Sequence, residues 1–215
     1  MAAIILLVVF AAGRTSFVQG FLNHWNVKSE ATLTAEGYPE SLVQLYEKNE
    51  EARQFVLDYK KNGNNEQPID ISSDVTDGKI PLFLQWDERW GYRTYGDNFL
   101  AITGCGPTAL SMVYVGLTGD TSMNPYTVAQ MAQEDGFYVN GSGSAWSMMT
   151  ELATKLGLSA QELSLSEDSI RQELSQGHPI ICIMGPGDFT TSGHFIVLTG
   201  VDLSLIHISE PTRPY

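Results

Sequence analysis

The sequence predicts an α+β fold for residues 79–202, and three observations lead to this prediction. The chain has 215 residues, 43% of them apolar, which is enough to bury one core of ordinary domain size. Between residues 104 and 177, apolar side chains recur with helical spacing and glycines separate the segments, which predicts a series of helices. Apolar segments at 179–184 and 193–201 then predict two strands.

The N-terminal residues 1–30 begin with an apolar run, Ala2–Ala12, of eleven residues. A membrane-spanning helix needs about 20 residues, and no basic residue precedes the run, as one would in a secretory signal. The run is interpreted as the end of a membrane anchor whose start is missing or as an atypical signal segment, followed by a stalk. A buried core strand is the weaker alternative, because polar sequence follows. We therefore expect a secreted or membrane-anchored protein at the cell surface or outside it.

Residues 31–78 are predicted to form an amphipathic helix and a polar linker. Apolar side chains recur at steps of three and four over residues 40–61, and Pro39 suits the first turn of a helix. We expect this apolar stripe to pack against the following domain rather than to recruit a partner. The polar stretch at 62–78 predicts a linker or a long surface loop.

Within residues 79–202, a short apolar strand is predicted at 80–84, and an aromatic loop follows at 85–95. Asn124 with Pro125 is a helix start, and Ser144 and Ser166 are candidate N-caps. The predicted helices cover residues 104–116, 124–136, 144–157 and 166–177.

Charge and cysteine content exclude several classes of function. The net charge of −13 opposes binding to phosphate backbones, so no nucleic-acid partner is expected. The acidic excess is interpreted as a solubility feature. Two cysteines cannot form a disulfide scaffold or a thiolate-rich metal site, and no metal or organic cofactor is expected.

Cys105 is the first candidate for a catalytic residue. Pro107 belongs in the first turn of the predicted helix, which places the thiol at the helix N-terminus, where the dipole and unpaired amides favour a thiolate. Gly104 and Gly106 leave the sulfur without flanking side chains. The alternative is a free cysteine that packs under a helix.

His194 is the best candidate for a base among the histidines. It follows Gly193 and precedes the apolar sequence FIVL, so it stands at the start of a buried strand that can hold the imidazole rigidly. The alternative is a histidine that caps a loop. Cys182 lies within a predicted apolar strand and is interpreted as a packing residue, although a disulfide between Cys105 and Cys182 is a second possibility.

Three sequence blocks together resemble one known family. The blocks are QWDERWG at 85–91, GCGPT at 104–108 and GHFIV at 193–197, and they occur in the order expected for papain-like cysteine peptidases related to the bacteriocin-leader-processing enzymes, cysteine peptidase family thirty-nine. The resemblance covers residues 79–202. It implies a papain-like fold in which a helical part carrying the nucleophile packs on an antiparallel sheet carrying the histidine.

The resemblance also implies a role for individual residues. Cys105 would be the nucleophile, His194 the general base, and Gln85 an amide donor to the oxyanion together with the backbone N–H of Cys105. Gln85 could also be an ordinary loop amide. The residues expected to bind substrate are Trp86, Trp90, Gly104 and Gly193.

The residue that would orient His194 is missing from the sequence pattern. Asp202 is eight residues further along the same strand, about 26 Å in extended chain, and cannot reach the imidazole. From Leu203 the chain continues no predicted strand, and LSLIHISEPTRPY resembles translated sequencing-adapter read-through. We therefore expect residues 203–215 to be extraneous, the domain and its sheet to be incomplete, and one edge of the second strand to be unpaired.

The sequence therefore predicts a cysteine peptidase that hydrolyses peptide bonds of a peptide or protein substrate through a thioester. A cell-wall peptide amidase that uses the same two residues is the first alternative. The second is a catalytically silent module in which the aromatic loop at 85–95 binds a peptide or glycan. Oligomeric state is left open.

Overall fold

The computed structural model of the protein describes residues 28–186, 193–202 and 205–209. The apolar run at 2–12 and the start of the stalk lie outside the described residues. In the part of the chain that is described, no helix has the length and apolar character to cross a membrane.

The first helices are α1 (Glu30–Ala35), α2 (Glu40–Lys48) and α3 (Arg53–Asn62). The prediction of one continuous helix over residues 40–61 is therefore wrong, because two helices occupy this range. The break lies at Asn49, whose backbone is extended and whose Oδ1 accepts a hydrogen bond from the N–H of Glu51 at 3.0 Å. A short amide side chain that bonds the backbone nearby competes with the helix, which explains the interruption.

The apolar stripe of α2 and α3 packs against the following domain, as the sequence predicts. The ring of Phe55 stacks on Tyr92 with 4.1 Å between centroids, and the Tyr92 hydroxyl donates to the Phe55 carbonyl at 2.6 Å. Trp86 and Ala101 belong to the same buried cluster as the helices. The helical pair thus supports the segment that leads to Cys105.

The middle of the chain contains short hairpins between helices. The elements are β1 (Thr94–Tyr95), β2 (Asn98–Phe99), α4 (Leu100–Thr103), α5 (Cys105–Thr118), α6 (Pro125–Glu134), β3 (Tyr138–Val139), β4 (Gly143–Ser144), α7 (Met148–Lys155) and α8 (Glu167–Ser175). β1 pairs with β2 and β3 with β4, both antiparallel. α5 is buried over most of its surface and packs against α6, α7, β4 and the strand His194–Asp202.

Two element predictions in this region are wrong. Residues 80–84 form no regular element and join none of the described sheets, and Phe83 is buried whereas Leu82 and Leu84 are exposed. The helix predicted from Ser144 begins at Met148, because Ser144 pairs with Tyr138 in the hairpin of β3 and β4. Both errors concern pairing partners, which local sequence does not specify.

The main sheet consists of β5 (Ile180–Met184), β6 (His194–Asp202) and β7 (Leu205–Ser209), antiparallel in that order. Side chains alternate between the two faces of a strand. Phe195 and Val197 of β6 join the core around α5, whereas Ile196 and Leu198 pack against α8. The sheet therefore separates two apolar clusters, and β6 is its central strand.

The prediction that no strand follows Asp202 is wrong. β7 pairs with β6 from Asp202↔Leu205 to Val197↔Ser209, with an irregularity between Leu198 and Gly200. β-branched isoleucines suit a strand, and pairing satisfies the backbone groups that an open edge of β6 would expose. The expected unpaired edge is thus covered along these residues. The interpretation of residues 203–215 as extraneous sequence stays a prediction.

Candidate active site

Cys105 is the first residue of the buried helix α5, as predicted, and the residue as a whole is half-buried. Gly104 is buried against the side chain of Leu100, where an added Cβ would lie 2.6 Å from it. An added Cβ on Gly106 would meet the Oγ of Ser144 at 2.6 Å. The two glycines therefore allow close packing on both sides of the cysteine, which is a different reason from the open approach that the sequence suggested.

Burial raises the pKa of the Cys105 thiol, and hydrogen bonds from the backbone N–H groups of Phe195, Gly106 and Cys105 itself offset only part of this rise. The expectation that the helix N-terminus favours a thiolate at Cys105 is therefore wrong in its sign. The amides are in place, but the loss of water around the sulfur outweighs them. The thiol therefore ionises at a higher pH than an ordinary cysteine does.

The raised pKa predicts the pH dependence of alkylation. Only the thiolate reacts with iodoacetamide, so on a Cys182→Ala background the rate at Cys105 should keep rising as the pH passes the ordinary cysteine value of about 8.5. Stopped-flow or mass-spectrometric rates at fixed ionic strength measure this. A plateau reached below pH 7 would show a preformed thiolate and contradict the effect of burial.

His194 begins β6 and is buried, with 5% of its surface exposed. The next residue, Phe195, donates its backbone N–H to the sulfur of Cys105. The peptide bond between His194 and Phe195 therefore lies next to the thiol. The structure thus brings the backbone at the start of β6 next to Cys105, which is 89 positions before His194 in the sequence.

Gln85 is buried, and its side-chain amide is hydrogen-bonded to α4, the short helix that precedes Cys105. Its Nε2 donates to the carbonyl of Leu100 at 3.0 Å, and the same carbonyl accepts the N–H of Gly104 at 2.8 Å. A glutamine amide has two N–H donors, and the Leu100 carbonyl takes one of them. The orientation of this side chain is thus fixed by the backbone that leads into Cys105.

The tryptophans expected to bind substrate are packing residues in the structure. Trp90 is fully buried, and its indole N–H donates to the Leu84 carbonyl at 2.9 Å. Trp86 is 5% exposed and belongs to the cluster formed with α2 and α3. The apolar surface of both indoles is therefore buried in contacts within the protein. The aromatic loop therefore offers little surface to a ligand, and the alternative of a silent binding module loses the feature on which it depended.

The other two expected substrate-binding residues differ from each other. Gly193 is exposed directly before β6, whereas Gly104 is buried. Among the described residues, no cluster of three or more His, Cys, Asp or Glu side chains could hold a metal ion.

A disulfide between Cys105 and Cys182 is contradicted by the structure, in which both cysteines are free. Cys105 packs with the cluster around α5, and Cys182 packs with Ile196 and Leu198 on the other side of the sheet. The two sulfurs are therefore separated by β6. Burial raises the pKa of Cys182 as well, which agrees with its interpretation as a packing residue.

Asp202 lies at the opposite end of β6 from His194, and its Oδ2 is 3.4 Å from the Nε2 of His207. The expectation that Asp202 does not orient His194 is therefore confirmed.

Sequence reasoning missed two residues near the nucleophile, Tyr95 and Ser144, and an exposed tryptophan that follows them. The hydroxyl of Tyr95 lies 2.8 Å from the Oγ of Ser144. Burial raises the pKa of Tyr95 to about 12, and the proximity of Cys105 contributes to the rise. Trp146, two residues after Ser144, is 70% exposed. The sequence pattern placed Ser144 and Trp146 in one helix, which hid the turn that separates their environments.

Comparison with known proteins gives one family. A family model described as Peptidase_C39 like family matches residues 78–214, which is well over half of the chain and contains Gln85, Cys105 and His194. The matched range begins after the helices α1 to α3. No curated protein and no solved structure matches the chain.

Proposed function

Because the chain belongs to the Peptidase_C39 like family, a family of cysteine peptidases, we propose that it hydrolyses peptide bonds with Cys105 as nucleophile and His194 as general base. The observation that carries this proposal is the hydrogen bond from the Phe195 N–H to the Cys105 sulfur. It holds the backbone at the start of β6 beside the thiol at the N-terminus of a buried helix, and the proposal takes the His194 imidazole as the group that reaches the sulfur. A nucleophile with an adjacent base is the arrangement that covalent hydrolysis of an amide needs.

The raised pKa of Cys105 determines how the first step would proceed. The thiol is neutral before reaction, so His194 takes its proton while the sulfur attacks the carbonyl carbon of the substrate. The C–N bond then breaks, the imidazolium gives the proton to the leaving amine, and a thioester remains on Cys105. Water attacks the thioester with His194 again as base, which releases the carboxylic acid and restores the thiol.

The oxyanion formed in these steps needs hydrogen-bond donors. Cys105 is the first residue of α5, and the N–H groups of a first helical turn have no acceptor within the helix. The second amide N–H of Gln85 is the side-chain donor in this proposal, because the first is held by the Leu100 carbonyl. Donors fixed by the fold in this way stabilise the transition state without reorganising.

The proposed activity is tested by incubating the full chain with a mixture of peptides and identifying new termini by mass spectrometry. We expect cleavage that stops when Cys105 is alkylated beforehand. Peptidoglycan stem peptides belong in the same mixture, because a cell-wall amidase with the same two residues would cut them preferentially. If no peptide of either kind is cut, the proposal is wrong.

Replacement of Gln85 tests the proposed oxyanion donor. Gln85→Ala should lower kcat by about 10² to 10³, the usual effect of removing one such donor, measured with the best peptide from the mixture. Asn98→Ala removes an amide from the hairpin beside α2 and serves as a matched control for folding and turnover. A change of less than twofold for Gln85→Ala in a folded protein would make Gln85 an ordinary structural amide.

We further propose that the reaction takes place at the cell surface or outside the cell. This proposal rests on the apolar run at 2–12 in the sequence.

A further inference from the structure

An exposed tryptophan follows the hairpin of β3 and β4, and this hairpin packs against the neighbours of the nucleophile. Trp146 is 70% exposed, whereas Trp86 and Trp90 are buried. It lies between β4 and α7, in a segment whose preceding and following residues, Ser144 and Met148, are both buried. An aromatic side chain exposed in this way is the residue type that most often supplies binding energy to a partner.

The chain before Trp146 is fixed against the segment that carries Cys105. Gly143 has a φ of +81°, and an added Cβ there would lie 3.0 Å from the carbonyl oxygen of Thr103. Ser144 lies against Gly106 and exchanges a hydrogen bond of 2.8 Å with the Tyr95 hydroxyl. The residues on both sides of the cysteine, Thr103 and Gly106, are therefore in contact with β4, the strand that precedes Trp146.

The backbone next to Trp146 is also hydrogen-bonded. The N–H of Ala145 donates to the Phe137 carbonyl at 2.8 Å, and the Trp146 carbonyl accepts the N–H of Met149 at 3.1 Å. Binding to this indole would therefore order few additional backbone torsions, which lowers the entropic cost of association.

The spacing relates Trp146 to the bond that would be cut. Ser144 touches the residue after Cys105, and two residues of extended chain reach about 7 Å at most. A bound peptide in extended conformation advances about 3.3 Å per residue. The indole is thus within reach of a substrate side chain that lies about two to four residues from the scissile bond.

We propose that Trp146 determines specificity by binding an apolar or aromatic side chain of the peptide substrate at this distance from the scissile bond. The inference rests on the proposed peptidase function and names the class of substrate that the site takes. A charged or small polar side chain at the same position would leave the indole exposed to water and would contribute little binding free energy. The effect is therefore expected as a preference among peptides.

Pairs of fluorogenic peptides that carry either Phe or Ser at one position, scanned along both sides of the scissile bond, test this inference. At one position the wild-type ratio of kcat/KM for Phe over Ser should be roughly tenfold or more, mainly through KM. Trp146→Ala should bring this ratio close to one, and Trp146→Phe should keep most of it. Leu165→Ala, an exposed apolar residue before α8, should keep the ratio unchanged.

Binding measured without hydrolysis separates this inference from the proposed function. Cys105→Ala protein is titrated with the same peptides and followed by isothermal titration calorimetry, with and without Trp146→Ala. Tighter binding of the Phe peptide that depends on Trp146 supports the inference even if the wild type cuts no peptide, and in that case only the proposed function fails. If the ratio survives Trp146→Ala, or if no position shows a preference, the inference is overturned, whether or not peptides are cut.

Discussion

Cys105→Ala should abolish both hydrolysis and covalent labelling of the protein. The proposal routes every step through the Cys105 sulfur, so its removal should lower kcat/KM by more than about 10³-fold, to the limit of detection. The measurements are cleavage of the best peptide and labelling by an epoxide-type thiol inhibitor, read by mass spectrometry. A circular dichroism spectrum identical to that of the wild type shows that the loss is not caused by unfolding.

Cys182→Ala is the matched control for this loss. Cys182 packs with Ile196 and Leu198 on the face of the sheet away from Cys105. Its replacement should leave hydrolysis and labelling intact and lower the free energy of unfolding by about 1 kcal/mol through lost packing. If labelling followed Cys182 instead of Cys105, the assignment of the nucleophile would be wrong.

His194→Gln should lower kcat/KM by about 10² to 10⁴, the usual contribution of a general base. The reason is specific to this site: burial raises the pKa of the Cys105 thiol and so disfavours the thiolate, and in the proposal a neighbouring group takes the proton when the sulfur attacks. Glutamine keeps a polar side chain at the start of β6 but cannot act as a base. The loss should therefore appear mainly in kcat, measured with the best peptide near neutral pH.

Alkylation adds a readout that a purely structural role would not change. At high pH the Cys105 thiol ionises without help, so His194→Gln protein should react with iodoacetamide as fast as wild type there. His178→Gln is the control, because His178 is exposed and pairs with Glu173 at 2.7 Å, at the corner between α8 and β5. If hydrolysis by His194→Gln stays within threefold of wild type, His194 is not the base.

The local sequence determined the elements whose ends carry their own signals. Asn124 accepts hydrogen bonds from the N–H groups of Tyr126 and Thr127, and Ser166 accepts one from Ser169, so α6 and α8 begin where their caps predict. β5 and β6 follow their apolar runs. The three blocks around Gln85, Cys105 and His194 were sufficient to identify the family, because their residue types and order can be seen without coordinates.

The tertiary structure decided the properties that depend on contacts between residues distant in the sequence. The helix N-terminus at Cys105 favours a thiolate, but burial by β6 and β4 reverses the direction of the pKa shift. From its sequence the aromatic loop resembles a binding surface, but in the structure Trp86 is buried against α2 and α3. Trp146 falls within a helical pattern, and only the pairing of Ser144 with Tyr138 leaves it exposed on a loop. Caps and periodicity act within a few residues of chain, whereas desolvation and strand pairing depend on residues far away in sequence, which no local pattern records.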